Sequence, residues 1–174
     1  MKSSKNIVFL GMMGSGKSSI GFLVSKKLGL SFFDIDKYIE DKLDMKISNI
    51  FRLKGEGFFR EYEEKITLDI LKKRKIVVSL GGGAFLNKKI RNEVVKNHIS
   101  FWLRLNSDII ISRIKNSSKR PMTLNMSNID LKNMIKKRSK YYDKALFKIN
   151  CNNKTKTEIV DIIINLYENN QTNS

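Results

Sequence analysis

Gly11-Met12-Met13-Gly14-Ser15-Gly16-Lys17-Ser18 fits the phosphate-binding pattern G-x-x-x-x-G-K-[ST]. An apolar run, Ile7-Val8-Phe9-Leu10, leads into it, and helix-periodic residues Ile20, Leu23, Val24 and Leu28 lead out. Glycines at 11, 14 and 16 let the backbone curl until successive N–H groups around Gly14, Ser15 and Gly16 face one concavity, a nest for an anion. The helix that begins near Lys17 adds the positive end of its dipole. Lys17 is placed to reach the β- and γ-phosphates of a nucleotide, and the Ser18 hydroxyl to ligate Mg²⁺.

Phosphoryl transfer needs a second oxygen donor for the metal and a group that handles the acceptor hydroxyl. The apolar strand 76–80 ends in Ser79-Leu80-Gly81 without an acid, so the carboxylate must come from elsewhere. Asp34 and Asp36 follow the short strand 31–33, and alternate residues of an extended segment point the same way. One would serve Mg²⁺ through water while the other accepts a hydrogen bond from a hydroxyl or acts as base. Capping the helix predicted from residue 36 is a competing use for either, above all for Asp36.

Arginine is scarce, eight of the 34 basic residues, so its positions carry information. A planar guanidinium grips a carboxylate or phosphate at two points, which lysine does not. Arg60 follows Gly55-Glu56-Gly57-Phe58-Phe59 and has Glu63 one turn on to orient it; Arg120 stands beside Pro121; Arg138 lies on the next helix. With Gly81-Gly82-Gly83 permitting close backbone approach, these residues suggest an acidic, hydroxylated acceptor.

The elements that must position these residues alternate regularly. Strands are predicted at 7–10, 31–33, 76–80, 100–105 and 147–150, and helices at 17–28, 36–44, 48–74, 87–97, 107–115, 129–145 and 156–168. Gly29 closes the first helix, and Gly55 and Gly57 interrupt the long one. The pattern implies a doubly wound α/β fold, a five-stranded parallel sheet with helices on both faces and ligands at the carboxyl ends of the strands. One domain is expected over residues 1–174, with a polar, lid-like loop at 116–128 around the only proline and a frayed tail at 169–174.

Composition agrees, at 41% hydrophobic and 29% charged residues. The net charge of +17 raises the possibility of a nucleic-acid binder, but the lysines are scattered over helices and no nucleic-acid-binding motif accompanies them. No apolar run approaches bilayer length and Met1-Lys2-Ser3-Ser4 leads directly into a strand, so a cytoplasmic protein without membrane or nucleic-acid partners is expected. The single Cys151 makes no internal disulfide and reads as an apolar filler at a strand end; His98 reads as a bystander, and Phe51, Phe58 and Phe59 as core and pocket wall.

Taken in order, the phosphate loop, Asp34-Ile35-Asp36, Phe58-Phe59-Arg60-Glu61, Ser79-Leu80-Gly81-Gly82-Gly83, Arg120-Pro121 and Arg138 before a tyrosine pair resemble the shikimate kinase family of small P-loop kinases, from about residue 5 to 165. The resemblance implies a monomer that phosphorylates the 3-hydroxyl of shikimate with Mg-ATP, in aromatic amino-acid synthesis. It assigns Gly14, Ser15, Gly16, Lys17, Ser18 and Ser19 to ATP, Ser18 and Asp34 to Mg²⁺, and Asp36 to the substrate hydroxyls and the proton. Arg60 and Arg138 would clamp the carboxylate with help from Gly81, Gly82 and Gly83. Arg120 would steady the transferring group and Arg113 would lie against adenine. Ser139-Lys140, Met122-Thr123 and Asn152-Asn153 depart from the usual residues. Two rival readings stand beside this one: a gluconate or nucleoside monophosphate kinase, which shares the loop and lid, and a nucleotide-regulated RNA-binding protein.

Overall fold

Strand β1 (Ile7–Leu10) is buried throughout, and its alternate residues divide the interior in two. Ile7 and Phe9 join Val77, Ile99, Phe101 and Ile149 in one apolar layer; Val8 and Leu10 join Val78, Leu80, Ile35 and Ile39 in the other. In the computed structural model, which describes residues 5–117, 123 and 125–172, β1 is the centre of a five-stranded parallel sheet ordered β2-β3-β1-β4-β5. Its partners are β2 (Ser31–Asp34), β3 (Ile76–Ser79), β4 (Ile99–Arg104) and β5 (Phe147–Asn150). Helices α1 (Lys17–Leu28) and α7 (Lys156–Thr172) cover the Phe9 face. The opposite face carries α2 (Ile35–Leu43), α3 (Ile47–Leu71), α4 (Lys88–Asn97), α5 (Ser107–Lys115) and α6 (Asn128–Tyr142). The doubly wound sheet expected from the alternation is therefore present.

Register brings the functional ends together. Asp34 pairs with Ser79, and Ser79 with Phe9, so β2, β3 and β1 finish side by side and release Asp36, Gly81 and the glycine loop into one crevice. Gly29 ends α1 in a left-handed conformation, as its position suggested. In α3 the break falls at Gly55 alone (φ 82°, ψ 164°), a backbone state closed to side-chain-bearing residues, and the segment beyond it presents Arg60 and Glu63 to the crevice.

Several boundaries differ from the sequence reading. The second helix starts at Ile35 instead of 36, because Asp34 caps it by accepting a hydrogen bond from Lys37 N at 3.1 Å. β3 stops at Ser79, and a 3₁₀ turn, Ala84–Leu86, precedes α4. β4 begins one residue early, α6 ends at Tyr142 instead of 145, and α7 continues to Thr172 through part of the expected tail. Within the expected lid, residues 118–122 and 124 lie outside those described, while Ser127 caps α6 through Asp130 N.

Asn6, just before β1, is a fastener. Its buried amide donates to Leu71 O (3.1 Å) and Lys73 O (2.7 Å) and accepts from Ile76 N (3.3 Å), tying the end of α3 to the start of β3. Asn6→Ala takes this partner from Leu71 O and Ile76 N, both in buried bonds. It should cost about 2–4 kcal/mol of stability and lower Tm by about 5–12 °C; calorimetry showing no measurable loss would deny the role.

Candidate active site

The loop after β1 is built as its glycines demand: Gly11, Gly14 and Gly16 all have positive φ (139°, 80° and 95°). Gly16 precedes α1, which has no side-chain cap and no acidic residue in its first turn, so its first N–H groups face the concavity without a competing carboxylate. Ser15 is buried, and its Oγ has no hydrogen-bond partner among the described residues. Lys17 is also buried, with Nζ donating to the carbonyls of Gly11 (2.9 Å) and Met12 (2.8 Å). Its ammonium is thus fixed at the mouth of the loop. Arg113 reaches the loop from α5, donating to Gly14 O at 2.9 Å, while Ser18 and Ser19 stand exposed on the first turn of α1.

The second strand delivers both acids by a route other than simple alternation. Ser18 Oγ donates to Asp34 Oδ2, while Oδ1 of the same carboxylate caps α2. A hydroxyl and a carboxylate in contact, both oxygen donors, suit Mg²⁺, which takes few protein ligands and completes its shell with water and phosphate. Asp36 is not the cap; it lies in the first helical turn and faces the crevice from there. Burial, then the negative charges of Glu63 and Asp34, push its pKa up to about 7, against the opposing pull of Lys17 and Arg60.

Across from it runs the glycine strip after β3. A Cβ on Gly81 would stand 2.6 Å from Asp36 Oδ1 and 2.7 Å from Glu63 Oε1, so glycine here is what lets two carboxylates converge. A Cβ on Gly82 would sit 3.1 Å from Met13 N of the phosphate loop, and one on Gly83 would sit 2.7–2.9 Å from the Arg60 guanidinium. Arg60 is held by Glu63 (2.7 Å) and Glu56 (3.3 Å) and lies over the rings of Phe51 and Phe59. Burial works against its charge, but the two glutamates outweigh it and keep the guanidinium ionised. Glu63, raised by its own burial, is held back by Arg60 and Arg138. Arg138 Nη1 donates to Gly82 O at 3.3 Å.

Gly83→Ala should therefore push Arg60 off its position without touching the phosphate loop. The expected result is a KM for the acceptor raised about tenfold with KM for ATP unmoved; equal KM values for wild type and variant would mean that Arg60 does not hold the acceptor.

The structure thus gathers Lys17, Ser18, Asp34, Asp36, Arg60, Gly81, Gly82, Gly83 and Arg138 around one crevice, with Arg113 on the loop that lines it. Arg120 lies outside the described residues. One participant was passed over by sequence reasoning: Tyr142, almost wholly buried, donates its O–H to Gly82 O. Its position four residues after Arg138, hence on the same helix face, is the signal that could have found it. Phe59 and Phe51 form pocket wall as expected, whereas Phe58 is 37% exposed and stacks on Tyr62. Cys151 is buried filler whose thiol burial pushes up to about 11, and His98 sits before β4, at the opposite end of the sheet from the crevice.

The family model for shikimate kinase matches residues 13–168. The shikimate kinase of Sulfurihydrogenibium sp. (strain YO3AOP1) is 40% identical over 160 residues, spanning 92% of this chain and 96% of that protein. Among solved structures, the shikimate kinase from Acinetobacter baumannii in complex with shikimate aligns with a TM-score of 0.90 at 26% identity, over 98% of this chain and 96% of that one. The shikimate kinase from Aquifex aeolicus vf5 aligns with a TM-score of 0.85 at 32% identity, over 95% and 97% of the two chains.

Proposed function

The chain belongs to the shikimate kinase family, and from that premise we propose that its crevice transfers the γ-phosphoryl group of ATP to the 3-hydroxyl of shikimate, giving ADP and shikimate 3-phosphate for aromatic amino-acid synthesis. The observation that carries the reading is the position of Asp36. Its carboxylate lies among the glycine strip, Lys17 and Arg60, so a hydroxyl bound there has the phosphate cradle on one side and the arginines on the other.

Each group has a task that its surroundings fit. The loop N–H groups, Ser15 and Lys17 bind the phosphates. Ser18 and Asp34 hold Mg²⁺, which offsets the negative charge of the phosphates when bound. Asp36 accepts the hydrogen bond of the reacting hydroxyl and takes its proton as the oxygen attacks; a pKa near neutrality matches that use. Arg60, oriented by Glu63, and Arg138 bind the shikimate carboxylate at two points each, and Gly81–Gly83 let the ring approach the backbone. Arg113 supports the loop and meets the base, Ser19 adds a hydroxyl beside Ser18, and Arg120 steadies the transferring group from the lid. The protein acts as a single domain and a monomer in the cytoplasm, and its +17 charge draws in two anionic substrates without a nucleic-acid partner. Among the described residues no helix is long and apolar enough to cross a membrane.

Incubation with Mg-ATP and shikimate, gluconate or a nucleoside monophosphate tests this directly. Shikimate-dependent ADP release, with phosphorus NMR placing the phosphate on the 3-oxygen, is the expected result. Turnover on gluconate or a monophosphate but none on shikimate would overturn it.

A further inference from the structure

Gly82 is where three parts of the crevice meet. A side chain on it would crowd Met13 N of the phosphate loop, Gly81 beside it accommodates Asp36 and Glu63, and Gly83 accommodates Arg60. Its carbonyl oxygen is taken by two groups from the same face of α6: the Tyr142 hydroxyl, and Arg138 Nη1 at the longer distance of 3.3 Å. A trans peptide is planar, so fixing the direction of this oxygen fixes the direction of the Gly83 N–H in the same unit.

Tyr142 is built for that hold. Its ring is buried against Trp102 of β4, with centroids 5.8 Å apart, and its oxygen lies 3.7 Å from Met12 Sδ in the phosphate loop. Burial pushes the phenol up to about 12, so it remains a donor at any working pH. Arg138, on the same face, shares its guanidinium between the Tyr142 hydroxyl, where its charge opposes the effect of burial, and a long bond to a neutral carbonyl, although its charge-assisted partner of choice is a carboxylate.

We propose that Tyr142 is a positioning residue: it holds the Gly82 carbonyl so that Arg138 is released to the substrate carboxylate without the glycine strip turning. Without the hydroxyl, Arg138 becomes the donor from α6 left to satisfy Gly82 O, and that oxygen competes with the substrate for the guanidinium. This rests on the reading of Arg138 as the carboxylate clamp.

The test compares wild type and Tyr142→Phe on shikimate and on its neutral carboxamide, at saturating ATP. The variant should raise KM for shikimate about 5–20-fold, the size of one lost hydrogen bond. Its kcat should stay within about threefold and KM for ATP should stay unchanged. The preference for shikimate over the carboxamide should shrink by about the same factor as KM rises. That ratio is taken within one preparation, so a loss of folded protein cancels from it. An unchanged preference in the variant overturns the role of Tyr142 while leaving the clamp intact. A wild-type enzyme that does not distinguish carboxylate from carboxamide would take the clamp down with it.

Discussion

Asp36→Asn is expected to lower kcat by about 10²–10³-fold, the usual worth of a positioned base, while leaving KM for ATP within about twofold. The substitution keeps the shape and a carbonyl oxygen for the hydroxyl but removes the group that receives the proton. Its second effect runs the other way, toward stability. Asp36 has its pKa raised from 3.8 to about 7, so the folded ligand-free protein binds this proton more tightly than the unfolded chain. The sign follows from that difference: the contribution of this group to stability is fully present below about pH 4, where both states are protonated, and is lost as pH rises through about 7. Asn carries no charge and avoids this loss. One pKa unit is about 1.4 kcal/mol, and with the cost shared among neighbouring carboxylates the variant should gain about 1–2 kcal/mol at pH 8, or about 3–7 °C in Tm. The gain should vanish toward pH 4. Thermal scans of metal-free protein across that range, paired with steady-state kinetics, check both halves. A variant that is inactive and also less stable at pH 8 would show that Asp36 is a structural acid.

Lys17→Ala should lower kcat/KM for ATP by about 10²–10³-fold, the scale on which fixed charges act upon a transferring phosphoryl group. Lys17 is already held, by two loop carbonyls at 2.9 and 2.8 Å, at the mouth of the nest. It therefore meets the incoming phosphates without a search through rotamers. Alanine removes the charge and both of these bonds, while the positive end of α1 and the backbone donors remain, so weak nucleotide binding should persist. Calorimetric titration with ATP and steady-state assays measure the two separately. The outcome also bears on the basic surface. Salt-sensitive nucleic-acid binding that survives Lys17→Ala would favour an RNA-binding role for the +17 charge over substrate steering.

Much of this enzyme could be read along the chain. The glycine loop was legible because its chemistry is local: three positive-φ glycines, a lysine and a serine act within eight consecutive residues, and the sequence alone fixes their spacing. The sheet was legible because strands such as Ile76–Ser79, apolar up to the closing serine, belong inside a parallel sheet covered on both faces. The arginines stood out against a lysine background, and the Arg60–Glu63 pair followed from helical spacing.

Other features arise only when distant segments meet. The choice between Asp34 and Asp36 as helix cap depended on a one-residue shift in where α2 begins, which local preference does not set, since both residues are good caps. The raised pKa of Asp36 comes from burial and from Glu63, a residue on another helix brought across Gly81 by the packing of α3. That Gly83 is glycine for the sake of Arg60, and that Tyr142 grips Gly82 from 60 residues away, are likewise facts of packing. The phosphate loop, the order of elements and the family can be read from the chain alone, because they follow from spacing along it. Which carboxylate is free to work, and what holds the glycine strip in place, emerge only on folding, because burial and charge coupling act through space.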